Sequence, residues 1–426
     1  MTDLLDDLHW RGLIALSTDL EALAAELARG PITFYVGFDP TAPSLHLGNL
    51  VQILTARRLQ QAGHRPLALV GGATGLIGDP RPESERQLNS RDTVAAWVAR
   101  IRSQIERYLD FDGPAAATVV DNLDWTAPMS AIDFLRDIGK HFRVNRMLAK
   151  EAVSARLNSE AGISYTEFSY QILQGMDYLE LYRRYGCRLQ TGGSDQWGNL
   201  TAGSELIRRV TGESVHLLAT PLLTDSRGQK FGKSTGGGSL WLDPTMTSPY
   251  SLYQYLLNVE DASVSQLLRV FSFASRAEIS ELEATGAERP QARAGQRQLA
   301  EELVRLVHGD AEVGEVIAAS QALFGRGSLQ ELAPETLRAA LTEAGLATVR
   351  GTPTVAELFR DTGLTASLNE ARRAVREGGA YLNNERVTDA DSPVGSGQLL
   401  HGRWLVLRRG KRTVAGAELV TGSAPV

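Results

Sequence analysis

A single cysteine, Cys187, and seven histidines stand in 426 residues. One thiol excludes a disulfide framework and any cysteine-based zinc site. None of the histidines has the H-x-x-x-H spacing of a zinc hydrolase, so no protein-held metal is expected. Apolar runs stay well short of the ~18 residues of a membrane span. The N-terminus, MTDLLDDLHWRGLIALSTDLEALAAEL, has no basic segment and no cleavage site, which argues against a secretory signal. Charge of one sign is also scarce. The net charge of −6 does not hold nucleic acid by bulk attraction, so any such contact has to come from local patches. These absences point to a cytoplasmic chain. With 43% hydrophobic and 22% charged residues, it reads as a globular chain of two to three domains.

Residues 1–30 read as helix, closed by Gly30-Pro31. ITFYVGFD is a short strand. SLHLGNLVQILTARRLQQ is a helix with Ser44 as its N-cap. RPLALVGG is a buried parallel-type strand, followed by a glycine loop and a helix over 92–110. AATVVDN and GCRLQTGG are further strands, the latter leading into the helix LTAGSELIRRV. This alternation predicts an α/β fold with a doubly wound, Rossmann-like parallel sheet over residues 1–223. Residues 224–247 read as a mobile loop rich in glycine, serine and lysine. Residues 248–345 read as a helical domain, Arg350-Gly351-Thr352-Pro353 as a linker, and 354–426 as a small α+β module. That last module carries ten Arg or Lys against eight Asp or Glu, in a chain that is otherwise acidic. Seven of the ten cations form two bunches: Arg372, Arg373 and Arg376 at helical spacing, then Arg408, Arg409, Lys411 and Arg412. Bunching of this kind favours a phosphate backbone over an ordinary solvated face.

Two motifs carry chemistry only as a pair. In Asp39-Pro40-Thr41-Ala42-Pro43-Ser44-Leu45-His46-Leu47-Gly48-Asn49 a strand gives way to a helix, with His46 and Asn49 on one face of its first turn. Open N–H groups at that helix start would favour an anion, and Gly48 would let a flat ligand lie on the backbone. Taken alone, the motif is an N-cap with a chance histidine. Lys230-Phe231-Gly232-Lys233-Ser234 is not a phosphate-binding P-loop, because Arg227 stands where its first glycine would be. Taken alone, it is a solvated loop.

Together, H-[LI]-G-[HN] after the first strand and K-[FM]-[GS]-K-[ST] beyond the last resemble the paired signatures of class I aminoacyl-tRNA synthetases. YVGFDPTAPSLHLGNL, RPLALVGGATGLIGDP, FLRDIGKHFRVN, ISYTEFSYQILQGMDY and GCRLQTGGSDQWGNLTAG narrow the resemblance to the bacterial-type tyrosyl-tRNA synthetases, over most of residues 30–425. The resemblance implies an enzyme that joins tyrosine to ATP, releases pyrophosphate and passes tyrosine to its tRNA, working as a homodimer through the insert around 125–168. It implies ATP as substrate with Mg²⁺, and no tightly bound cofactor. The reaction centre would use Thr41, His46, Asn49, Arg86, Lys230 and Lys233. ATP would lie along Gly37, Asp39 and Gly48, with its ribose on Gly193, Asp195 and Gln196. By itself Asp195 reads as the N-cap of the following helix.

In YTEFSYQILQGMDYLELY the residues Phe168, Ile172, Met176, Leu179 and Tyr182 form an apolar stripe. At ~100° per residue, Tyr170, Gln174 and Asp177 fall on the opposite face. Periodicity alone makes that face solvated. The resemblance turns it toward tyrosine, with Tyr170, Gln174 and Asp79 on the ammonium, Asp177 and Tyr35 on the phenol, and Gln190 on the carboxylate side. Gly71, Gly72, Gly75 and Gly78 do not match a dinucleotide motif, and are expected to let the backbone approach the substrate and to place Asp79. Asn49 replaces the histidine common in the first signature, and Arg81 stands in a loop that lacks a usual lysine. SLNEARRAVREGGAYLNNERVTD with GRWLVLRRGKR resembles the S4 RNA-binding fold, and the two basic bunches would then bind tRNA. A tryptophanyl-tRNA synthetase and a non-catalytic RNA-binding relative are the alternatives.

Overall fold

The computed structural model describes residues 3–81, 84, 86–160, 162–224, 228, 230–232, 238–411 and 413–420. They form two compact units. One is Met1–Asp243 with Glu260–Ala284, the other Pro244–Val259 with Thr285–Val426.

The first unit is built on a six-stranded sheet. Along the chain come α1 (Asp3–Trp10), β1 (Leu16–Ser17), α2 (Leu20–Arg29), β2 (Thr33–Phe38), α3 (Leu47–Gln61), β3 (Arg65–Val70), α4 (Arg91–Ile105) and β4 (Thr118–Asp121). Short helices follow: α5 (Leu123–Thr126), α6 (Ala131–Asp133), α7 (Val144–Leu148) and α8 (Glu151–Leu157). Then come α9 (Tyr165–Tyr185), β5 (Cys187–Gly193), α10 (Trp197–Thr211) and β6 (His216–Thr220). The strand order is β1-β6-β5-β2-β3-β4, parallel throughout except for β1. From β2 the chain winds outward through β3 to β4, then returns to place β5 on the other side of β2. The carboxyl ends of β2 and β5 therefore flank the switch point, where doubly wound sheets bind ligands.

The single helix expected over 1–30 is two helices. Gly12 takes a left-handed φ of 73° after α1, and β1 then pairs antiparallel with β6. A run too short for clear periodicity hid that edge strand. α9 begins at Ser164, whose side chain accepts from the Glu167 N–H, and ends at Gly186 with φ 62°. Both its faces are buried, with Met176 and Leu179 in the main core and Tyr170 and Asp177 only 5% and 2% exposed. The solvated face suggested by periodicity alone does not exist.

α11 (Pro249–Leu257), α12 (Asp261–Phe271), α13 (Arg276–Glu288), α14 (Ala294–His308), α15 (Asp310–Ala322) and α16 (Pro334–Ala344) make 248–345 helical. They do not form one body: Glu260–Ala284 belongs to the first unit. Inside that unit the Ser272 carbonyl accepts from both Arg11 and Arg58. Periodicity finds such helices but does not say which core they join.

In the second unit α16 runs into β7 (Leu346–Arg350). Next come α17 (Val355–Asp361), α18 (Leu368–Arg376), β8 (Ala380–Leu382), β9 (Glu385–Arg386), β10 (Trp404–Arg409) and β11 (Thr413–Val420). The sheet order is β7-β11-β10-β8-β9, with β7 parallel to β11. Of residues 350–353, expected as a linker, Arg350 is the last residue of β7, and 351–353 join that strand to the capping box of Thr354 and Glu357. Gly416 on β11 lies so close to Leu341 of α16 that a Cβ there would come within 2.8 Å of it. The helices and the sheet of this unit therefore pack as one. Asn383 and Asn384, with φ of 48° and 67°, make the tight turn between β8 and β9.

Candidate active site

A cavity of about 410 Å³ opens at the switch point of the first unit. Its walls include Tyr35, Gly37 and Asp39 from β2 and the residue after it, and Gln190 and Gly193 from β5. Thr41, His46, Gly48 and Asn49 come from the β2–α3 turn, Asp79 and Arg86 from the loop after β3, and Tyr170, Gln174 and Asp177 from α9. Asp195, Gln196 and Lys230 complete it. Every residue expected at the reaction centre, the tyrosine pocket or the ATP site lines this one cavity, apart from Lys233, which lies outside the described residues.

One end is deep and polar. Tyr35 pairs in register with Gln190 across β2 and β5, so both side chains emerge on the same face. The hydroxyl of Tyr35, Oε1 of Gln174 and Oε1 of Gln190 are all buried without a hydrogen-bond partner. Beside them Asp177 is fixed by two donors that the sequence did not reveal. Asn122 Nδ2 donates to its Oδ2 at 3.0 Å and Trp125 Nε1 to its Oδ1 at 2.9 Å. Burial nevertheless pushes the Asp177 carboxyl up to about 8, against the lowering pull of Asn122 and Trp125 and with help from Asp39 and Asp121. Asn122 directly follows β4 at the carboxyl edge of the sheet, a position that could have marked it. Trp125 carried no sequence signal.

Asp39 and Tyr170 were expected on different substrates, yet they touch. The Tyr170 hydroxyl donates to Asp39 Oδ2 at 2.6 Å and Thr74 Oγ1 to Oδ1 at 2.6 Å. Burial raises the Asp39 carboxyl, opposed by these two bonds. This pairing explains one glycine of the loop, and a second carboxylate explains the next. A Cβ at Gly71 would overlap the Asp39 carboxylate, and one at Gly72 the Asp121 carboxylate. Gly71 and Gly72 thus make room for the protein's own carboxylates, while Gly75 lies against Pro40 and Gly78 against Arg86.

The first signature folds differently from its sequence reading. His46, not Ser44, is the N-cap of α3. Its Nδ1 accepts from the N–H of Gly48 at 3.0 Å and of Asn49 at 3.4 Å, while Asn49 Oδ1 accepts from the His46 N–H at 3.1 Å. The Leu47 N–H donates to the Leu240 carbonyl. The first three N–H groups of the helix are thus already used, and the expected open anion site on the backbone is absent. Gly48 serves this arrangement directly, since a Cβ there would lie 2.9 Å from the His46 ring. With Nδ1 as an acceptor, the neutral ring carries its proton on Nε2. Burial lowers the His46 pKa and Lys230 adds to the lowering, while a backbone bond of His46 itself opposes both. A lowered value means that the folded state prefers the neutral ring. The cap's contribution to stability is then whole above the ordinary ~6.5 and fades as pH falls toward the lowered value.

At the open end Lys230 lies 3.7 Å from Asp195, both partly exposed. Asp195 is not the cap of α10; Gln196 holds that position, with no capping bond. Arg86 donates from Nε to the Asp79 carbonyl at 2.6 Å, and its own N–H donates to Glu167 at 3.1 Å. Arg81 does not line the cavity.

In the second unit the basic bunches are partly spent. Arg408 is only 9% exposed, its guanidinium 4.0 Å from the Tyr381 ring centre and bonded to the Gly410 carbonyl. It is thereby withdrawn from the expected RNA contacts. Arg372 pairs with Asp391 and Arg409 with Glu370, each at 2.8 Å, and Arg373 lies 3.9 Å from Glu377. Arg376 and Lys411 are exposed, and Arg412 lies outside the described residues.

Residues 27–325 match the family model for class I tRNA synthetases of the tryptophan and tyrosine type, and 340–415 that for the tyrosine–tRNA ligase C-terminal domain. The tyrosine–tRNA ligase of Streptomyces avermitilis is 64% identical over 423 residues, 99% of this chain and 100% of its own. That of Mycobacterium tuberculosis is 59% identical over 420 residues, covering 98% and 99%. Among solved structures, the C-terminally truncated mitochondrial tyrosyl-tRNA synthetase of Coccidioides posadasii superposes with a TM-score of 0.65 at 30% identity, over 74% of this chain and 91% of that one. With both family models matched and relatives aligned over nearly its whole length, the chain belongs to the tyrosine–tRNA ligases of the class I aminoacyl-tRNA synthetases.

Proposed function

We propose how this cavity performs the tyrosine–tRNA ligase reaction, in which tyrosine and ATP give tyrosyl-adenylate and pyrophosphate and the tyrosyl group then passes to the 3′ end of tRNA. The observation that carries the reading is the convergence of Tyr35, Gln174 and Gln190, each with a buried and unpartnered oxygen, on the wall beside Asp177. Unpaired buried polar atoms cost ~1–3 kcal/mol each, which a ligand of matching polarity recovers. Tyrosine fits that demand. Its phenol meets Tyr35 and Asp177, its ammonium meets Tyr170, Gln174 and Asp79, and its carboxylate lies toward Gln190.

ATP occupies the open end. Adenosine lies along Gly37, Asp39 and Gly48, and ribose meets Gly193, Asp195 and Gln196. The tyrosine carboxylate is already ionised and attacks the α-phosphorus without a general base, expelling pyrophosphate in line. Catalysis is therefore placement and charge stabilisation. Thr41, Nε2–H of His46 and the amide of Asn49 donate from the α3 side, and Arg86, Lys230 and Lys233 supply positive charge. Asn49 keeps a donor for this work because only its oxygen is taken by the cap. Mg²⁺ would arrive with ATP and screen its phosphates. The donors suit an ion held mainly by phosphate and water, since no group of three or more His, Cys, Asp or Glu among the described residues could hold a metal. Gln174→Ala is expected to raise the KM for tyrosine about tenfold and leave that for ATP unchanged, and Asp195→Ala to do the reverse. Steady-state pyrophosphate exchange measures both. Equal effects on the two substrates would refute the division of the cavity.

For tRNA, the exposed ion pairs of Arg372, Arg373 and Arg409 are weak enough to exchange for phosphates, and Arg376 and Lys411 are already exposed. Changing Arg376 and Lys411 to Glu should weaken tRNA binding and flatten its dependence on log salt by about 0.7–0.9 per lost phosphate contact. Pyrophosphate exchange should be untouched. An unaltered salt slope would remove these residues from the interface.

Homodimer formation is supported by apolar side chains left exposed on the insert. Ile132 is 69% exposed, Leu135 51%, Val144 59% and Tyr165 67%. Sedimentation at micromolar concentration should give twice the 46.2 kDa chain mass, and Val144→Asp should shift it toward one. A wild-type monomer would overturn the assignment. No helix among the described residues is long and apolar enough to cross a membrane. The cytoplasm, where tRNA is charged, is the assigned compartment.

A further inference from the structure

Asp79 lines the tyrosine site. Its ion-pair partner Lys150 lines a second cavity of about 260 Å³, together with Arg143, Arg146, Glu205 and Arg209. Lys150 lies at the junction of α7 and α8 and reaches out of that second cavity. Its Nζ is 3.3 Å from Asp79 Oδ1 and donates to Asn199 Oδ1 at 2.6 Å. The two ion-pair partners are only 17% and 19% exposed. Asn199 Nδ2 also donates to Asp79 Oδ1, and Gln196 Nε2 to Oδ2, at 3.3 and 3.4 Å. The carboxylate therefore has a cation and two amide donors before any substrate arrives.

We infer that Lys150 competes with the substrate's ammonium for Asp79 and so sets the affinity for tyrosine. The inference rests on the assignment of Asp79 to the ammonium. A second ammonium reaching Asp79 meets repulsion from the first, in a setting with little water to screen it. Lys150 has no favourable retreat. Arg143, Arg146 and Arg209 surround the second cavity, and Glu205, the carboxylate among its lining residues, is already paired with Arg146 and Arg209. Either Lys150 stays and repels the substrate, or it leaves for a positively charged wall. Both routes make tyrosine bind more weakly than it would beside a neutral residue at 150. If Lys150 instead served only to hold Asp79 in place, its removal would weaken tyrosine binding. The sign of the effect separates the two roles.

The test is equilibrium binding to the full-length protein of tyrosine and of 3-(4-hydroxyphenyl)propionate, which keeps the phenol and carboxylate but lacks the amine. Lys150→Gln should tighten tyrosine about fivefold, the scale of one partly buried charge contact, and leave the deaminated ligand within about twofold of wild type. Lys150→Arg, which keeps the charge, should bind tyrosine as wild type does, and in an Asp79→Asn background Lys150→Gln should have no effect. Unchanged or weakened tyrosine binding in Lys150→Gln, or equal tightening of both ligands, would overturn the inference. In those cases the assignment of Asp79 survives if Asp79→Asn weakens tyrosine and spares the deaminated ligand. Should Asp79→Asn affect both ligands alike, the assignment itself fails, and the inference with it.

Discussion

Lys230→Ala and His46→Asn should each slow tyrosyl-adenylate formation by about 30- to 1000-fold, a loss of ~2–4 kcal/mol of transition-state stabilisation. Tyrosine affinity should change little, because both groups meet ATP phosphates as charge moves. Lys230 belongs to the open end of the cavity and is 61% exposed as a side chain, so it is free to follow the phosphates. Lys233 of the same signature should behave alike. His46 has a second duty that a single substitution confounds. Asparagine still caps α3, so His46→Asn should keep the stability of the fold while losing the Nε2–H donor. His46→Ala should lose both, and unfold in urea with about 1 kcal/mol less stability. Stopped-flow activation and urea melts separate the duties. Wild-type activation rates in Lys230→Ala and His46→Asn would remove the two signatures from the chemistry.

Discrimination between tyrosine and phenylalanine should fall about tenfold in Tyr35→Phe, and about 100-fold or more when Asp177→Asn is added. With tyrosine bound, the Tyr35 hydroxyl and the Asp177 carboxyl both have a partner. With phenylalanine bound the Tyr35 hydroxyl faces an apolar edge without a partner, and Asp177, held by Asn122 and Trp125, loses the phenol's bond. Tyr35→Phe removes one of those penalties, so the wrong substrate gains relative to the right one. Asp177→Asn disturbs more than the hydroxyl contact. Both Asp177 oxygens already accept, from Asn122 and Trp125, and an amide there turns one acceptor into a donor facing a donor. Its effect on kcat should therefore exceed that of Tyr35→Phe, while the tyrosine-to-phenylalanine ratio of kcat/KM reports recognition in both. A ratio equal to wild type in the double variant would mean that Asp177 and Tyr35 do not read the phenol.

What the sequence reveals about this site depends on whether a residue acts through local pattern or through a distant neighbour. Tyr170, Gln174 and Asp177 share a helix face at fixed spacing, and His46 and Asn49 share one turn, so both sets are visible in one dimension. Their partners are not. Asn122 and Trp125 reach Asp177 from across the sheet, and Lys150 reaches Asp79 from an insert more than 70 positions away. The role of His46 as a cap was hidden for another reason. Ser44 is the better capping residue by type, but its hydroxyl donates to the Leu45 carbonyl and accepts from Gln104. In the second unit the arginine bunches counted charge correctly but not its availability. Arg408 lies on a central strand whose inward face leaves its guanidinium against Tyr381. The parallel pairing of β7 with β11 joins segments about 70 residues apart, which no local turn signal around 350–353 could reveal.

The most direct measurement is ATP–pyrophosphate exchange by the full-length protein against each of the twenty amino acids. A cavity whose deep end presents Tyr35, Asp177, Gln174 and Gln190 should support exchange with tyrosine, with phenylalanine and tryptophan slower by orders of magnitude. Exchange driven by tryptophan, or none with any amino acid, would contradict the assignment of this cavity to tyrosine activation.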